Sequence, residues 1–551
     1  MTFLREISLP DADQAKILSQ TGISLGSVAG NVPVLDSGGK LGSSTTNLVR
    51  YDIPQALTEA QKAQVRSELD IPPCPFSIIG TFNDFPSTIV TTGGDPIYFL
   101  DSYSSRVIIA LSTGTTGISI NENTTIDSDT HLDFSGVPSL TSISVSSTSL
   151  TTAPIITGLT ALLSLELSSM TFSEWPDLTG LTSLRTIAYN YNKLSTTPSF
   201  SAVPNLGSLG MTNQQFTAYP DLTVLPNLLY LDLSTPYGTG SYYPTSPPVL
   251  TGLTSLVSLN LSSTKFTDPP ALTGLASLQT LNLATCALTS APILTGLTSL
   301  QTLVITGSSS HLLPFTPVVT GLTALQYLAL SYSSSTSPPV LTGLTSLQTL
   351  SLTHLSITSY PSFTGLTALQ TLLLDYCTIT SPPSLSAITS LRTLSLAHSS
   401  ITSYPSFTGL AGLITLDLSY LSITSPPSLT GLSLLQTIDL TGTAITTPPT
   451  FSGVTTNIRT IKLTGSSITS APVITGLVLL NIIYLNNCPG LNTAAIVDNF
   501  FIAMGAMIPS DNHNGTCDTS GTTHAVTSAS DLVRTQLAAA PRSWTILKTG
   551  P

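Results

Sequence analysis

The sequence predicts a β-rich repeat solenoid of about sixteen 22-residue coils, with a parallel sheet on one face and an extended, proline-rich return side. Three observations predict it. Thr-Gly-Leu or a near variant recurs with its glycine at Gly136, Gly158 and Gly180, at Gly252, Gly274 and Gly296, and, after a three-residue slip, at Gly321, Gly343, Gly365, Gly409, Gly431 and Gly453. After each glycine the inward positions alternate as in a short strand, so that Leu372 and Leu374 point into the coil while Thr371, Leu373 and Asp375 point out. Proline recurs on the way back, as Pro338-Pro339, Tyr360-Pro361, Pro382-Pro383 and Tyr404-Pro405. One coil cannot bury its own leucines, so neighbours must stack and unlike units must close the ends.

Residues 1–73 stand before the repeat. Gly30-Asn-Val-Pro-Val-Leu-Asp-Ser-Gly-Gly-Lys-Leu41 reads as short strands around glycine turns. Thr58 to Leu69 reads as a helix, with Thr58 as N-cap and Pro72-Pro73 as its stop. Both phrases, in this order, resemble the N-terminal modular segments of bacteriophage tail fibres and tail-associated proteins. That resemblance implies a virion-attachment segment, contact with other tail or baseplate proteins, and a homotrimer. Residues 74–113 leave the beat, with strands expected around Phe76–Ile79, Ile97–Leu100 and Val107–Leu111, and form an N-terminal β cap over the first coil's apolar edge.

Residues 114–490 are the solenoid. The unit is clearest at Leu369-Gln-Thr-Leu-Leu-Leu-Asp-Tyr-Cys-Thr-Ile379, and counting from its first leucine makes Tyr376 position eight and Cys377 position nine. This resembles the leucine-rich repeat, L-x-x-L-x-L-x-x-N/C-x-L. Cys286, Cys377 and Cys488 all occupy position nine, where Asn192 and Thr264 stand in other coils, so the resemblance assigns them to the turning backbone and not to redox chemistry. Cys74 and Cys517 remain, which supports neither a disulfide framework nor a zinc site. Residues 491–551 are an α/β C-terminal cap: helices over Leu491–Met507 and Ser528–Ala539, the second with Asp531 and Arg534 outward, and strands at Gly515–Asp518 and Trp544–Leu547.

Composition narrows the function. Apolar residues make up 41% of the chain, enough for a continuous core, whereas 8% charged residues leave the outside to serine and threonine. A net charge of −12 without a Lys/Arg stripe argues against nucleic acid and anionic membranes. The chain opens without an apolar signal core, and Ala494–Pro509 is too short to cross a bilayer, so neither Sec export nor membrane insertion is expected. Release by lysis would carry a virion protein outside without a signal.

No nucleophile elbow, zinc helix or phosphate loop occurs, and neither an enzyme nor a cofactor is implied. Asp127-Ser-Asp-Thr-His131-Leu-Asp133 is the nearest approach to a metal cluster, but its register reads as a solvated return side. Asp417 and Asp439 share one outward position in adjacent coils, as a carboxylate pair on a flat sheet. The ice-binding pattern of a flat threonine array, Thr349 to Thr437, is interrupted by Leu373 and Asp375.

Position eight carries the candidate ligand-binding residues. Tyr332, His354, Tyr376, His398 and Tyr420 recur every 22 residues and must form a column at the end of the sheet. Two insertions precede it at the same place in the unit, one bearing Tyr237, Tyr242 and Tyr243, the other His311 and Phe315. The column is open to two readings, a ligand face for glycan or protein and a self-stacking ladder copied by duplication of a 44-residue unit. The expected function is a phage tail-fibre or receptor-binding protein, exposed on the virion tail and adhering to a host-surface glycan or protein. The alternative is a cellular leucine-rich repeat adhesin or interaction scaffold.

Overall fold

The structure, a computed structural model, describes residues 76–547 except 83–88, 93–96, 102–105, 113, 121–131, 147–149, 151, 173, 193, 216, 236–243, 453, 455–456, 492, 508–514, 522–530 and 539–544. Residues 1–73 with their expected strands and helix, Cys74, Asp127, Asp129 and His131, and Tyr237, Tyr242 and Tyr243 lie outside the described residues. The chain divides into two compact units, Met1–Pro244 and Thr245–Pro551.

In the first unit, β1 (Phe76–Phe82), β3 (Ile97–Asp101) and β4 (Arg106–Ser112) form an antiparallel sheet in the order β1-β4-β3, where the sequence placed its three early strands. β2 (Ile89–Thr92) pairs antiparallel with β5 (Gly117–Ile120). It occupies the edge that β5 would otherwise leave unpaired. From β5 a parallel ladder runs through Ser142–Ser146, Ser164–Ser168, Thr186–Ala188, Ser208–Gly210 and Tyr230–Asp232. The sequence did not mark β2 as a strand, since four residues are too few to show alternation.

The second unit carries a parallel ladder from Ser258–Asn260 to Ile482–Tyr484, with Thr349, Thr371, Thr393, Thr415 and Thr437 aligned across successive coils. The insertion after Thr302–Thr306 does not shift the pairing: Leu303 still faces Leu328, and the added residues fold into a tight turn in which Ser308 and His311 bond to each other's backbone. Among the described residues, sixteen strands from Ser142–Ser146 to Ile482–Tyr484 bound about fifteen turns of roughly 22 residues. This is the β-solenoid the repeat predicts.

The core follows from the register. In one coil Leu369, Leu372, Leu374, Cys377, Ile379, Leu385 and Ile388 are buried, while Thr371, Leu373 and Asp375 face outward. Position nine is an internal bracket. The Cys286, Cys377 and Cys488 thiols donate to the carbonyls of Leu261, Leu352 and Leu463, position six of the preceding coil, at 3.1, 3.2 and 3.0 Å. Asn192 makes the same bond to Leu167 at 2.8 Å. Burial pushes the Cys377 thiol up to about 11, which keeps it protonated and a donor.

The recurrent glycines from Gly158 to Gly431 turn the corner into the next strand at positive φ, 88° at Gly365. Ala202, Val224 and Ala387 hold the same place without a positive φ. The glycine beat therefore marks the corner, and a second corner geometry exists for other residues.

At the C-terminal end, Thr516–Asp518 and Thr545–Leu547 extend the parallel ladder beyond Ile482–Tyr484, beside α1 (Ala494–Met507) and α2 (Asp531–Ala538). Arg534 corrects the outward placement expected from sequence. It is 8% exposed, pairs with Asp531, and its guanidinium lies 5.9 Å from the Phe501 ring centre. A cation over an aromatic face gives that charge a reason to be inside.

The register makes a direct stability contrast. Leu372→Ala, at a side chain with no exposure, should cost about 2–5 kcal/mol in urea unfolding, and Thr371→Ala one residue away should change stability by less than ~0.5 kcal/mol.

Candidate functional site

Position eight begins where the strand must end. Tyr332, His354, Tyr376, His398 and Tyr420 all have φ between 55° and 59°, the left-handed region that non-glycine residues seldom occupy. The same place holds Asn213, Gly442, Gly465 and Asn487, residue types that tolerate this conformation, and also Ser169, Tyr191, Ser263 and Thr285, which the fold holds there at φ between 54° and 62°. The position-eight amide remains in the ladder: Tyr376 N–H donates to the Ala397 carbonyl and His354 N–H to the Asp375 carbonyl, both at 2.9 Å. A fixed backbone and a common φ send every position-eight side chain in one direction.

The five rings consequently form one continuous stack. Successive ring centres lie 4.1, 4.2, 4.4 and 4.1 Å apart, with interplanar angles of 15°, 15°, 7° and 12°. The stack stops at Gly442, where a Cβ would fall 2.5 Å from the Tyr420 ring. Gly307 precedes the column at the other end, and a Cβ there would meet the backbone oxygens of His311 and Tyr332 at 2.5 Å. Ring faces inside the column are covered by neighbouring rings, and what reaches solvent is ring edge. Tyr376 and Tyr420 are 45% and 51% exposed.

Electrostatics act mainly on His354. Burial holds its imidazole below the ordinary 6.5, the neighbouring His398 adds to this, and Asp375 opposes it. Nδ1 of His354 is buried without a hydrogen-bond partner. Burial pushes the Asp375 carboxyl up from 3.8, although it accepts a hydrogen bond from the Ser395 hydroxyl and another from Ala397 N–H at 2.9 Å.

The acidic pair noted in the sequence has a structural role. Asp417 accepts from Ser419 N–H at 2.9 Å and Asp439 from Thr441 N–H at 3.0 Å, capping the turn that leads into position eight. Asn260 and Asn282 cap the same turn in other coils, and Lys462 lies 3.0 Å from Asp439. These carboxylates are turn acceptors. Asp133 likewise accepts from Ser135. No group of three or more His, Cys, Asp or Glu gathers as a metal site among the described residues.

Sequence reasoning missed a second column. Gln279, Gln301, Gln326, Gln348 and Gln370 occupy position two in successive coils and are exposed, ahead of the strand where position eight follows it. Pattern reading keyed on apolar residues passes over such a row, although its 22-residue spacing was available as a signal.

No family model matches the chain, and no curated protein matches it. Solved structures share its fold. The leucine-rich repeat protein LIC12759 of Leptospira interrogans superposes with a TM-score of 0.52 at 23% identity, covering 61% of this chain and 86% of that one. The functional domain of InlJ from Listeria monocytogenes, which includes a cysteine ladder, gives 0.50 at 21% identity over 64% of this chain and 76% of that one. A chain of the Drosophila Toll–Spatzle complex gives 0.54 at 18% identity over 75% of this chain and 59% of that one. At these identities the likeness is one of fold: a leucine-rich repeat solenoid.

Two predictions follow the geometry of the column. Tyr376→Ala loses two stacking contacts and keeps the unfavourable φ, whereas Tyr376→Gly relieves it; Gly should be the more stable variant by about 1 kcal/mol in urea unfolding. The second concerns pH. His354 has a native pKa below 6.5, so as pH falls through that value the unfolded chain takes up the proton first and native stability declines. Asp375, raised above 3.8, acts with the opposite sign as pH falls through its own range. Urea midpoints measured from about pH 8 to about pH 5 should fall, and less steeply in His354→Asn.

Proposed function

We propose that this chain is a structural adhesion protein of a bacteriophage particle, a tail fibre or receptor-binding protein. Residues 1–73 hold it to other tail or baseplate proteins, as a homotrimer, and the solenoid meets a glycan or protein on the host cell surface. The observation that carries this reading is the pair of phrases ahead of the first coil, Pro33-Val-Leu-Asp-Ser-Gly-Gly-Lys-Leu41 and Leu57-Thr-Glu-Ala-Gln-Lys-Ala-Gln-Val-Arg66. The hydroxyl-rich exterior, with only 8% of the chain charged, supports it, since such a surface forms many weak polar contacts and copies on one particle add them through high effective concentration.

In this reading the position-eight column contributes its edges, alternating phenol hydroxyls and imidazole nitrogens, and Tyr237, Tyr242 and Tyr243 of the first insertion are separate candidates for ligand binding. Catalysis, metal and cofactor play no part in it. A cellular leucine-rich repeat adhesin or interaction scaffold would use the same fold; the two readings separate at residues 1–73.

Mass spectrometry of purified particles should find the chain, and antibody against the solenoid should label the tail. Particles lacking it would overturn the assignment. Within it, the pair Tyr376→Ala and His398→Ala should weaken binding of the labelled protein to host cells by roughly tenfold if the column edge is the contact.

A further inference from the structure

A depression of about 320 Å³ opens in the second unit beside the leading edge of the sheet, lined by Gln348, Gln370, Arg392, Thr389, Ser390 and Gly412 among others. Three of these are position-two residues of consecutive coils. Their backbone is pinned, with Gln370 N–H on the Gln348 carbonyl and Arg392 N–H on the Gln370 carbonyl, each at 2.8 Å. The three exposed side chains therefore leave a rigid ladder at the ~4.8 Å strand spacing.

Two differences from the preceding coils meet here. Arg392 stands where the two preceding coils carry Gln348 and Gln370 and the following coil Ile414, and arginine recurs at this position in Arg185 and Arg459. Among the described residues its guanidinium has no partner, whereas Lys462 is paired with Asp439 and Arg534 with Asp531. Gly412 stands where the neighbouring coils carry Ser390 and Leu434. A Cβ at Gly412 would meet only the Leu391 carbonyl oxygen, at an ordinary 3.7 Å, so packing does not require glycine. Its consequence is open space beside Arg392.

An unpaired guanidinium in a chain of net charge −12 is a local positive site, and its planar fork matches a carboxylate in two parallel hydrogen bonds. Each glutamine amide offers two donors and an acceptor, and Thr389 and Ser390 add hydroxyls, the complement of a sugar's own hydroxyls. No aromatic ring lines the depression, so recognition is polar. We infer that this depression binds a carboxylated sugar, with Arg392 holding the carboxylate and Gln348 and Gln370 the hydroxyls. The assignment names a ligand class for the host-surface contact and rests on the adhesion reading.

Calorimetric titration of the full chain tests it with trigalacturonic acid, its methyl ester and α2,8-disialic acid, the two acids distinguishing a uronate from a sialate source. At least one acid should bind; if it is trigalacturonic acid, the ester should bind roughly tenfold more weakly or not at all. Arg392→Gln restores the residue of the preceding coil and should weaken the acid roughly tenfold or more. Gly412→Leu fills the space with the next coil's residue and should abolish binding. Unfolding midpoints of both variants should match the unsubstituted chain. Equal binding of trigalacturonic acid and ester, unchanged acid binding in Arg392→Gln, or no binding of either acid at millimolar concentration would overturn the proposal. Host-cell binding by the same proteins separates the two readings. A chain that binds the acid but no host cell keeps the site and sinks the adhesion reading; one that binds cells but neither acid sinks the site alone.

Discussion

Registry between coils is the constraint on which everything else in this solenoid depends. A three-residue strand such as Thr371–Leu373 has no stability of its own, and its flanking leucines are buried only because the neighbouring coils present the same positions at the same height. The amide of position three donates back to position two of the preceding coil, as Thr371 does to Gln348 at 2.9 Å. The amide of position eight donates forward to position seven of the following coil, as Tyr376 does to Ala397. Bonds running both ways leave no freedom to slip by a residue, which is why the insertion after Thr306 is expelled as a turn while Leu303 and Leu328 stay paired. Any residue type repeated in the sequence is thereby converted into a column in space.

The aromatic column shows what such conversion costs and returns. Five ring-bearing residues at positive φ cost on the order of 5 kcal/mol relative to glycine. Four near-parallel ring contacts return roughly 2–6 kcal/mol. The two terms are of one size, so the stack sustains itself without a ligand. Self-stacking and an exposed edge coexist, because the faces are used within the column while the phenol and imidazole edges are not.

Most of the fold was legible because it repeats. Positions four and six, the position-nine bracket and the alignment of Tyr332 with Tyr420 all follow from counting in steps of 22. The left-handed turn at position eight was legible in principle, since Asn213, Gly442, Gly465 and Asn487 occupy the same place, but a reader attending to rings looks past the glycines and asparagines that disclose the backbone. Ring orientation depends on that φ and could not be counted out. The burial of Arg534 was hidden for a different reason: in an eight-residue helix, one charged residue over Phe501 does not disturb the amphipathic pattern. Asp417 and Asp439 stand in register as a pair on a flat sheet, and the sequence did not show that each answers a local demand for a turn acceptor.

Duplication explains regularity, and therefore cannot explain departures from it. Tyr and His at position eight, and Pro-Pro and Tyr-Pro on the return side, alternate with a 44-residue period, as copied units must. Arg392 breaks that copying: 44 residues to either side stand Gln348 and Gln436. Gly412 breaks it as well, with Ala368 one period before it. Neither change improves packing, since the arginine is exposed and an alanine would fit at Gly412 without a clash. Both change the same depression, one adding a charge and the other removing a side chain next to it. The regular column at position eight is what inheritance produces unaided; Arg392 and Gly412, at the opposite edge of the sheet, depart together from the 44-residue copy.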